Sequence, residues 1–194
     1  MKLIVGLGNP GKEYENTRHN IGFIALESLV SDVESFGEWH DSKKLGAMIA
    51  KGTIGNEPVM VFKPIEFYNN SGPVLQRIMA YYKASIDDLI IIHDDVDINI
   101  GKVKITKNSS AAGNNGVQSI IDTLKSQEFR RIRIGVVSEK NSEKEAMDIV
   151  LQKFTTPEKK LLKSILEQIP EIIKELIIKF PAVETAQNKF HGNK

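Results

Sequence analysis

Short apolar runs of strand length alternate with segments of helical periodicity along this chain, and that alternation restricts it to an α/β fold. Leu3 to Leu7 and Leu89 to Ile92 are continuous apolar runs, typical of strands buried on both faces. About six strands and about five helices are expected, including a hairpin-like pair of strands. We therefore expect a single α/β domain over residues 1–194, with a mixed, mainly parallel twisted sheet flanked by helices in three layers. The polar residues 186–194 are expected to form a flexible tail.

Local signals place several of these elements. Gly55-Asn56 separates two predicted strands, 47–51 and 59–62, and forms the turn between them. A capping box from Thr155 to Glu158 predicts the start of the last helical segment, and Pro170 is expected to kink or divide that segment.

Charge and residue content exclude several classes of protein. Lys and Arg total 26 and Asp and Glu total 25, so a general polyanion binder of the histone type is not expected. Cysteine is absent, which excludes disulfides and thiolate nucleophiles, and no apolar stretch approaches the roughly 20 residues of a membrane span. We expect a cytoplasmic protein that uses no metal and no other cofactor. The histidines lack metal-site spacing: they are His19, His40, His93 and His191.

The first candidate for a binding loop is Gly6-Leu7-Gly8-Asn9-Pro10-Gly11, which matches the GxGxxG pattern after a strand. A dinucleotide site requires the helix to begin immediately, so that the pyrophosphate meets its N-terminus. Here polar residues run from Lys12 to Arg18 before any helical period appears. We favour a glycine-rich turn that brings backbone close to a neighbour, with Asn9 directed into a cleft.

His19 lies where the polar loop meets a predicted helix, for which Asn20 is the expected N-cap. A helix N-terminus favours a neutral imidazole, and a neutral imidazole can accept a proton. The alternative is that His19 simply helps to cap the helix. The residues of this segment leave both interpretations open.

An acidic cluster, His93-Asp94-Asp95-x-Asp97, follows the apolar run that ends at Ile92. Ligands of open α/β sheets bind beyond the carboxyl ends of strands, and a carboxylate there can hold an imidazole in one tautomer. The alternatives are a magnesium site and a solvated turn. His93 is interpreted as a strand-end residue rather than a catalyst.

Two polar loops and a basic segment complete the candidates. Glu66 to Gly72 mixes aromatics with amides, which suits stacking and hydrogen bonding of a polar ligand, and Ser109 to Gly116 is another loop that carries amide side chains. Residues 101–135 hold seven basic residues against Asp122 and Glu128, so one face could meet a phosphate backbone. The alternative is a solvated, charged sheet edge.

In this order, the segments resemble the bacterial-type peptidyl-tRNA hydrolase family over nearly the whole chain. The block around His19 is the most specific of them. The motifs that carry the resemblance are Gly6-Leu7-Gly8-Asn9-Pro10-Gly11, Tyr14-x-x-Thr17-Arg18-His19-Asn20-x-Gly22, Phe67-x-Asn69-x-Ser71-Gly72, His93-Asp94-Asp95-x-Asp97, Arg131-Ile132-Arg133-Ile134-Gly135 and Ala186-Gln187-Asn188-Lys189-Phe190.

The resemblance implies a metal-independent hydrolase that cleaves the ester between a peptide and the 3′ ribose of tRNA, so that tRNA from stalled translation is recycled. It implies that His19 is the general base, that Asp94 orients it and raises its basicity, and that Asn9 lies beside the substrate. Its partner would be the acceptor end of peptidyl-tRNA, with no obligate protein partner and a monomeric state. The residues implied to contact substrate or tRNA are Tyr14, Phe67, Asn69 and Asn115, and the basic residues expected to face phosphates are Lys102, Lys104 and Arg133.

Three positions depart from the family pattern. Asn114 replaces the usual His, Gln118 a usual Lys or Arg, and Tyr68 a common Met. We expect these changes to lie clear of His19 and Asp94, and so to affect tRNA affinity and substrate preference rather than the reaction. Two alternatives are a catalytically silent RNA-binding relative and a nucleotide-dependent oxidoreductase that uses the Gly6–Gly11 loop.

Overall fold

The computed structural model describes residues 1–138 and 145–178. The predicted tail at 186–194, with the Ala186–Phe190 motif, lies outside the described residues. Within them the strands are β1 (Lys2–Gly6), β2 (His40–Ser42), β3 (Ala47–Ile54), β4 (Glu57–Pro64), β5 (Leu89–Asn99), β6 (Val103–Lys107) and β7 (Arg130–Val137). The α-helices are α1 (Ile21–Asp32), α2 (Ser71–Tyr82), α3 (Asn115–Leu124), α4 (Ala146–Val150), α5 (Thr156–Leu166) and α6 (Ile169–Ile178).

The strands form one mixed sheet in the order β2-β3-β4-β1-β5-β7-β6. Its four central strands, β4, β1, β5 and β7, are parallel, and antiparallel pairs close both edges. The predicted hairpin is confirmed as β3 and β4. The sequence did not indicate β2, because three polar residues carry no alternating pattern.

Alternate residues of each strand pack into two separate hydrophobic cores, one on each face of the sheet. Ile4 of β1 belongs to the cluster that packs against α1, α5 and α6, whereas Leu3 and Val5 belong to the cluster under α2 and α3. Strand side chains alternate between faces, so a continuous apolar run is what a strand buried on both sides requires. The three-layer prediction is confirmed.

Local sequence signals set the ends of the last helices. The capping box is formed: the Thr155 backbone N–H and hydroxyl donate to Glu158 Oε2 at 2.8 and 2.9 Å. The segment divides between Leu166 and Ile169, so Pro170 lies in the first turn of α6, where its missing N–H costs no helical bond. No helix in residues 1–138 or 145–178 has the length and apolarity to cross a membrane.

Strand β5 is longer than predicted, and this places the candidate carboxylate. The sequence predicted an end at His93-Asp94-Asp95, but β5 continues to Asn99 because β7 pairs with it past that point. Strand β1 ends at Gly6, opposite Ile92. Asp94 therefore lies two residues beyond the last residue paired with β1, at the open carboxyl end of the parallel strands.

Gly22 brings the start of α1 into direct contact with the sheet. A Cβ at this position would lie 2.5 Å from the Ile92 carbonyl oxygen and from backbone atoms of Leu7. Backbone atoms cannot rotate away, so only a glycine allows this approach. The contact holds the turn that carries His19 against the ends of β1 and β5.

The variant Gly22→Ala is expected to lose about 1–3 kcal/mol of stability, because the helix must move to relieve overpacking. Urea denaturation followed by circular dichroism measures this change. Ser31→Ala, on the exposed side of the same helix, is the matched control and should lie within about 0.5 kcal/mol of the wild type. Equal urea midpoints for Gly22→Ala and Ser31→Ala would show that α1 moves to accommodate the added Cβ without loss of stability.

Candidate active site

His19 and Asp94 form a hydrogen-bonded pair at the carboxyl end of the sheet. His19 lies in a single 3-10 turn, Arg18–Asn20, directly before α1. Its Nδ1 lies 3.0 Å from Asp94 Oδ2, and the side chains are 15% and 2% exposed respectively. A carboxylate only accepts hydrogen bonds, so Nδ1 carries the hydrogen, and in the neutral ring Nε2 is then the nitrogen with the lone pair.

Asp94 is held in its charged form although it is buried. Burial alone would raise its pKa, but the charge and hydrogen bond of His19 and the Tyr68 hydroxyl hold the pKa below its ordinary value. The neighbouring His93 is buried and its Nδ1 donates to the Asp94 backbone oxygen at 2.7 Å. Burial lowers the pKa of His93 to about 4, so His93 is neutral at pH 7.

A buried ion pair anchors the turn that carries His19. The Arg18 guanidinium donates to both carboxylate oxygens of Glu158 at 3.0 Å and to the Val136 carbonyl at 3.0 Å. Arg18 is 3% exposed, so this charge depends on its partner for compensation. The pair connects the turn before α1 to α5 and β7.

Asn20 joins this turn to the glycine-rich loop. Asn20 is the N-cap residue of α1, as the sequence predicted, but its side chain makes no cap bond. Its Oδ1 instead accepts from the Asn9 N–H at 2.8 Å, and its Nδ2 donates to the Asn9 carbonyl at 2.9 Å. Gly6 and Gly8 pack against Gly22 and Phe23 of α1, so these glycines serve helix packing.

Tyr68 and Asn114 also contact the His19–Asp94 pair. The expectation that these two departures from the family pattern lie clear of that pair is therefore wrong. The Tyr68 hydroxyl donates to Asp94 Oδ1 at 2.5 Å, and its ring stacks on His19 with centroids 3.5 Å apart. Asn114 Nδ2 lies 2.9 Å from the Tyr68 hydroxyl and 3.3 Å from Asp94 Oδ1. The third departure, Gln118, is exposed and donates to Asp122.

A cavity of about 400 Å³ opens over the pair. Its polar lining is made of His19, Asp94, Asp95, Asn69, Asn114 and Asn115. Its apolar wall includes three residues at or next to α4: Met147, Val150 and Leu151. The sequence did not single out these side chains, because that short segment has no apolar periodicity.

The other predicted substrate residues lie around this cavity rather than in its lining. Asn9 is not part of the cavity lining and accepts, through Oδ1, from the Tyr68 backbone N–H at 2.8 Å. Tyr14 and Phe67 meet edge to face with ring centroids 6.5 Å apart, and Phe67 is 63% exposed. Tyr14 and Phe67 therefore present an aromatic edge to solvent.

The basic segment divides between the surface and the interior. Lys102 and Lys104 are exposed at the edge strand β6, and their side chains make no hydrogen bond or ion pair with a described residue. Arg133 is partly buried and pairs with Asp95. Arg130 and Arg131 are buried, so the seven basic residues counted in the sequence do not form one surface.

The acidic cluster is engaged with protein partners. Asp94 binds His19 and Tyr68, while Asp95 binds Arg133 and accepts from the Asp97 N–H at 2.9 Å. In the part of the chain that the structure describes, no three His, Cys, Asp or Glu residues converge as metal ligands. These contacts favour the imidazole-holding interpretation of Asp94 over the magnesium alternative.

The local sequence carried only a weak signal for the position of Asn114 and none for the contact of Tyr68 with Asp94. Asn114 is an N-cap residue type three positions before Val117, whose N–H donates to Asn114 Oδ1 at 3.0 Å, and that spacing could have placed it at the start of α3. Tyr68 lies in a loop that the sequence predicted to suit a polar ligand, but only the tertiary structure brings its hydroxyl to Asp94.

Comparison with known proteins relates this site to one family. The family profile described as peptidyl-tRNA hydrolase matches residues 3–194. A peptidyl-tRNA hydrolase of Mycoplasma mycoides is 45% identical over 163 residues, covering 84% of this chain and 86% of that protein. One from Bacillus anthracis is 44% identical over 161 residues, covering 81% and 83%. The crystal structure of peptidyl-tRNA hydrolase from Acinetobacter baumannii superimposes with a TM-score of 0.86 at 28% identity, covering 100% of this chain and 96% of that one. The chain belongs to the peptidyl-tRNA hydrolase family.

Proposed function

We propose that this protein hydrolyses the ester between a peptide, or an N-blocked amino acid, and the 3′ ribose of tRNA. It acts as a monomer in the cytoplasm on peptidyl-tRNA released from stalled ribosomes. The observation that carries the proposal is the His19 Nδ1 to Asp94 Oδ2 contact of 3.0 Å beside an open cavity. Membership of the family supplies the substrate class.

His19 acts as the general base. Its Nε2 takes a proton from water as the water oxygen attacks the ester carbonyl, and Asp94 stabilises the imidazolium that forms. The carbonyl then re-forms as the ribose oxygen leaves, and His19 returns the proton to that oxygen. A positioned general base of this kind contributes roughly 10²–10⁴-fold.

Amide side chains around the cavity hold the substrate. Asn69 and Asn115 are exposed in its lining, and their Nδ2 groups can donate to the ester carbonyl as negative charge develops on it. Asn9 holds the backbone of Tyr68 through its Oδ1. Its own Nδ2 makes no hydrogen bond with a described residue, so it is available to the blocked end of the substrate.

The tRNA approaches along the aromatic and basic rim. Phe67 and Tyr14 offer ring faces and edges to bases of a single-stranded acceptor end. Lys102 and Lys104 offer charge to phosphates.

Release of tRNA from N-blocked and from free aminoacyl-tRNA tests the proposed function. We expect the blocked substrate to be cleaved, the free substrate to be spared, and the rate to be the same with and without EDTA, because His19 activates the water. Binding of tRNA with no cleavage of the blocked substrate would instead favour the silent RNA-binding alternative.

Neutralising Lys104 is expected to weaken tRNA binding and to reduce the slope of log K against log salt by about one, since one phosphate contact is lost. Binding titrations at several salt concentrations measure this slope. Lys51→Gln, an exposed lysine on β3 towards the opposite edge of the sheet, is the control and should leave the slope unchanged. An unchanged slope for Lys104→Gln would place the tRNA path elsewhere.

A further inference from the structure

We propose that Tyr68 and Asn114 act together as positioning residues that hold Asp94 and His19 in register for proton transfer. The observation is a continuous chain of side-chain contacts, from Asn114 through the Tyr68 hydroxyl to Asp94 and His19. The inference rests on the proposed role of His19 as the base, and it concerns residues that contact that base and its carboxylate.

The direction of every hydrogen bond in this chain is determined. A backbone N–H can only donate, so the Val117 N–H at 3.0 Å identifies the Asn114 atom facing it as Oδ1. The other end of the amide is therefore the donor Nδ2, which lies 2.9 Å from the Tyr68 hydroxyl. The hydroxyl accepts from Nδ2 and gives its single hydrogen to Asp94 Oδ1, which leaves Oδ2 for His19.

The Tyr68 ring is fixed as firmly as its hydroxyl. It is 1% exposed and lies nearly parallel to the His19 ring, at an interplanar angle of 15°. Gly116 approaches so closely that any Cβ there would overlap the Tyr68 ring. The Asn9 amide and the Ser71 hydroxyl hold its backbone N–H and carbonyl. A ring held at these points restricts the imidazole to one plane.

The hydroxyl also adjusts the charge that His19 experiences. Burial raises the pKa of Tyr68 well above its ordinary value, and the charge of Asp94 raises it further, so Tyr68 remains a neutral donor. A donor on Oδ1 shares the negative charge of Asp94 that would otherwise act on His19 alone. Removing the hydroxyl leaves more of that charge for the imidazolium, so His19 should protonate at higher pH.

Few other charged or titratable groups surround this pair. His93, on β5, acts on Asp94 and is neutral at pH 7. Asp95 of β5 is paired with Arg133 of β7. The Tyr68 hydroxyl is thus the donor whose removal changes the environment of Asp94 without changing a net charge.

The variant Tyr68→Phe tests the proposal, because it keeps the ring and removes only the hydroxyl. We expect about a tenfold fall in kcat with KM nearly unchanged, and a shift of the acidic limb of the kcat/KM profile to higher pH. NMR titration of the His19 ring should show its midpoint moved to higher pH. Tyr81→Phe, at an exposed tyrosine on α2, is the matched control and should change none of these quantities.

The variant Asn114→Ser tests the second member of the pair. Serine keeps a capping oxygen for α3 but is too short to reach the Tyr68 hydroxyl. We expect a smaller fall in kcat with the same direction of pH shift. The double variant should lose less than the product of the separate losses, since the two side chains contact each other and both donate to Asp94 Oδ1.

An unchanged NMR midpoint in Tyr68→Phe would overturn the proposal, and so would losses that multiply in the double variant. The NMR titration does not require cleavage. A wild-type protein that fails to cleave blocked aminoacyl-tRNA would therefore contradict the proposed function, whereas an active wild type with an unaltered Tyr68→Phe variant would contradict only the positioning role.

Discussion

The variant His19→Ala is expected to release tRNA from N-blocked aminoacyl-tRNA about 10²–10⁴-fold more slowly than the wild type, because no other group replaces the base. His19 contributes little exposed surface, so KM and tRNA affinity should change far less than kcat. Single-turnover kinetics with saturating enzyme measure the chemical step directly.

The matched control is His40→Ala, which removes an exposed histidine from the edge strand β2. Its turnover should equal that of the wild type. Near-wild-type turnover by His19→Ala would eliminate the general-base assignment, and with it the interpretation of the Asp94 contact.

The variant Glu158→Gln is expected to lose about 3 kcal/mol of folding stability, because it leaves the buried Arg18 charge without its counter-ion. Gln keeps the shape of the side chain and an oxygen for the capping box of α5, but its Nε2 cannot accept from Arg18. The loss therefore reports the charge together with the Arg18 hydrogen bond. The free energy of unfolding in urea at pH 7 measures it.

A control variant on the same helical segment tests whether the loss depends on burial of the Arg18–Glu158 pair. Glu167→Gln, at the exposed end of the same helical segment, removes only a long contact of 3.8 Å with Lys163 and should change stability by less than about 0.5 kcal/mol. An equal effect of the two substitutions would show that burial does not strengthen the Arg18 pair.

The stability lost in Glu158→Gln should depend on pH, because the pKa of Glu158 is shifted in the folded protein. Burial alone would raise the pKa of Glu158, but hydrogen bonds from Thr155 and Arg18 hold it below its ordinary value of 4.5. A carboxyl group with a lowered pKa stabilises the fold fully when the pH is above its pKa in the unfolded state. This stabilisation is lost as the pH falls through its pKa in the folded state. The difference between wild type and Glu158→Gln should therefore shrink below pH 4.5.

The elements whose signals are local agree with the sequence. The capping box at Thr155 and the turn at Gly55-Asn56 are formed as predicted, since each depends on residues a few positions apart. Asn20 shows the limit of such reasoning: its residue type suits a helix cap, but the nearby Asn9 backbone offers two hydrogen bonds at once. The extension of β5 past His93 likewise depended on β7, a strand distant in sequence.

By itself, the sequence determined the α/β class, the three layers and the family motif that contains His19, because apolar periodicity and motif order are properties of the chain. Only the tertiary structure decided what surrounds the His19–Asp94 pair. Tyr68 lies 26 positions from Asp94, and Asn114 lies 46 positions from Tyr68. Their contacts arise where the turns before α1 and α2 and the start of α3 meet β5. No local pattern encodes a hydrogen bond between side chains that only folding brings within 3 Å.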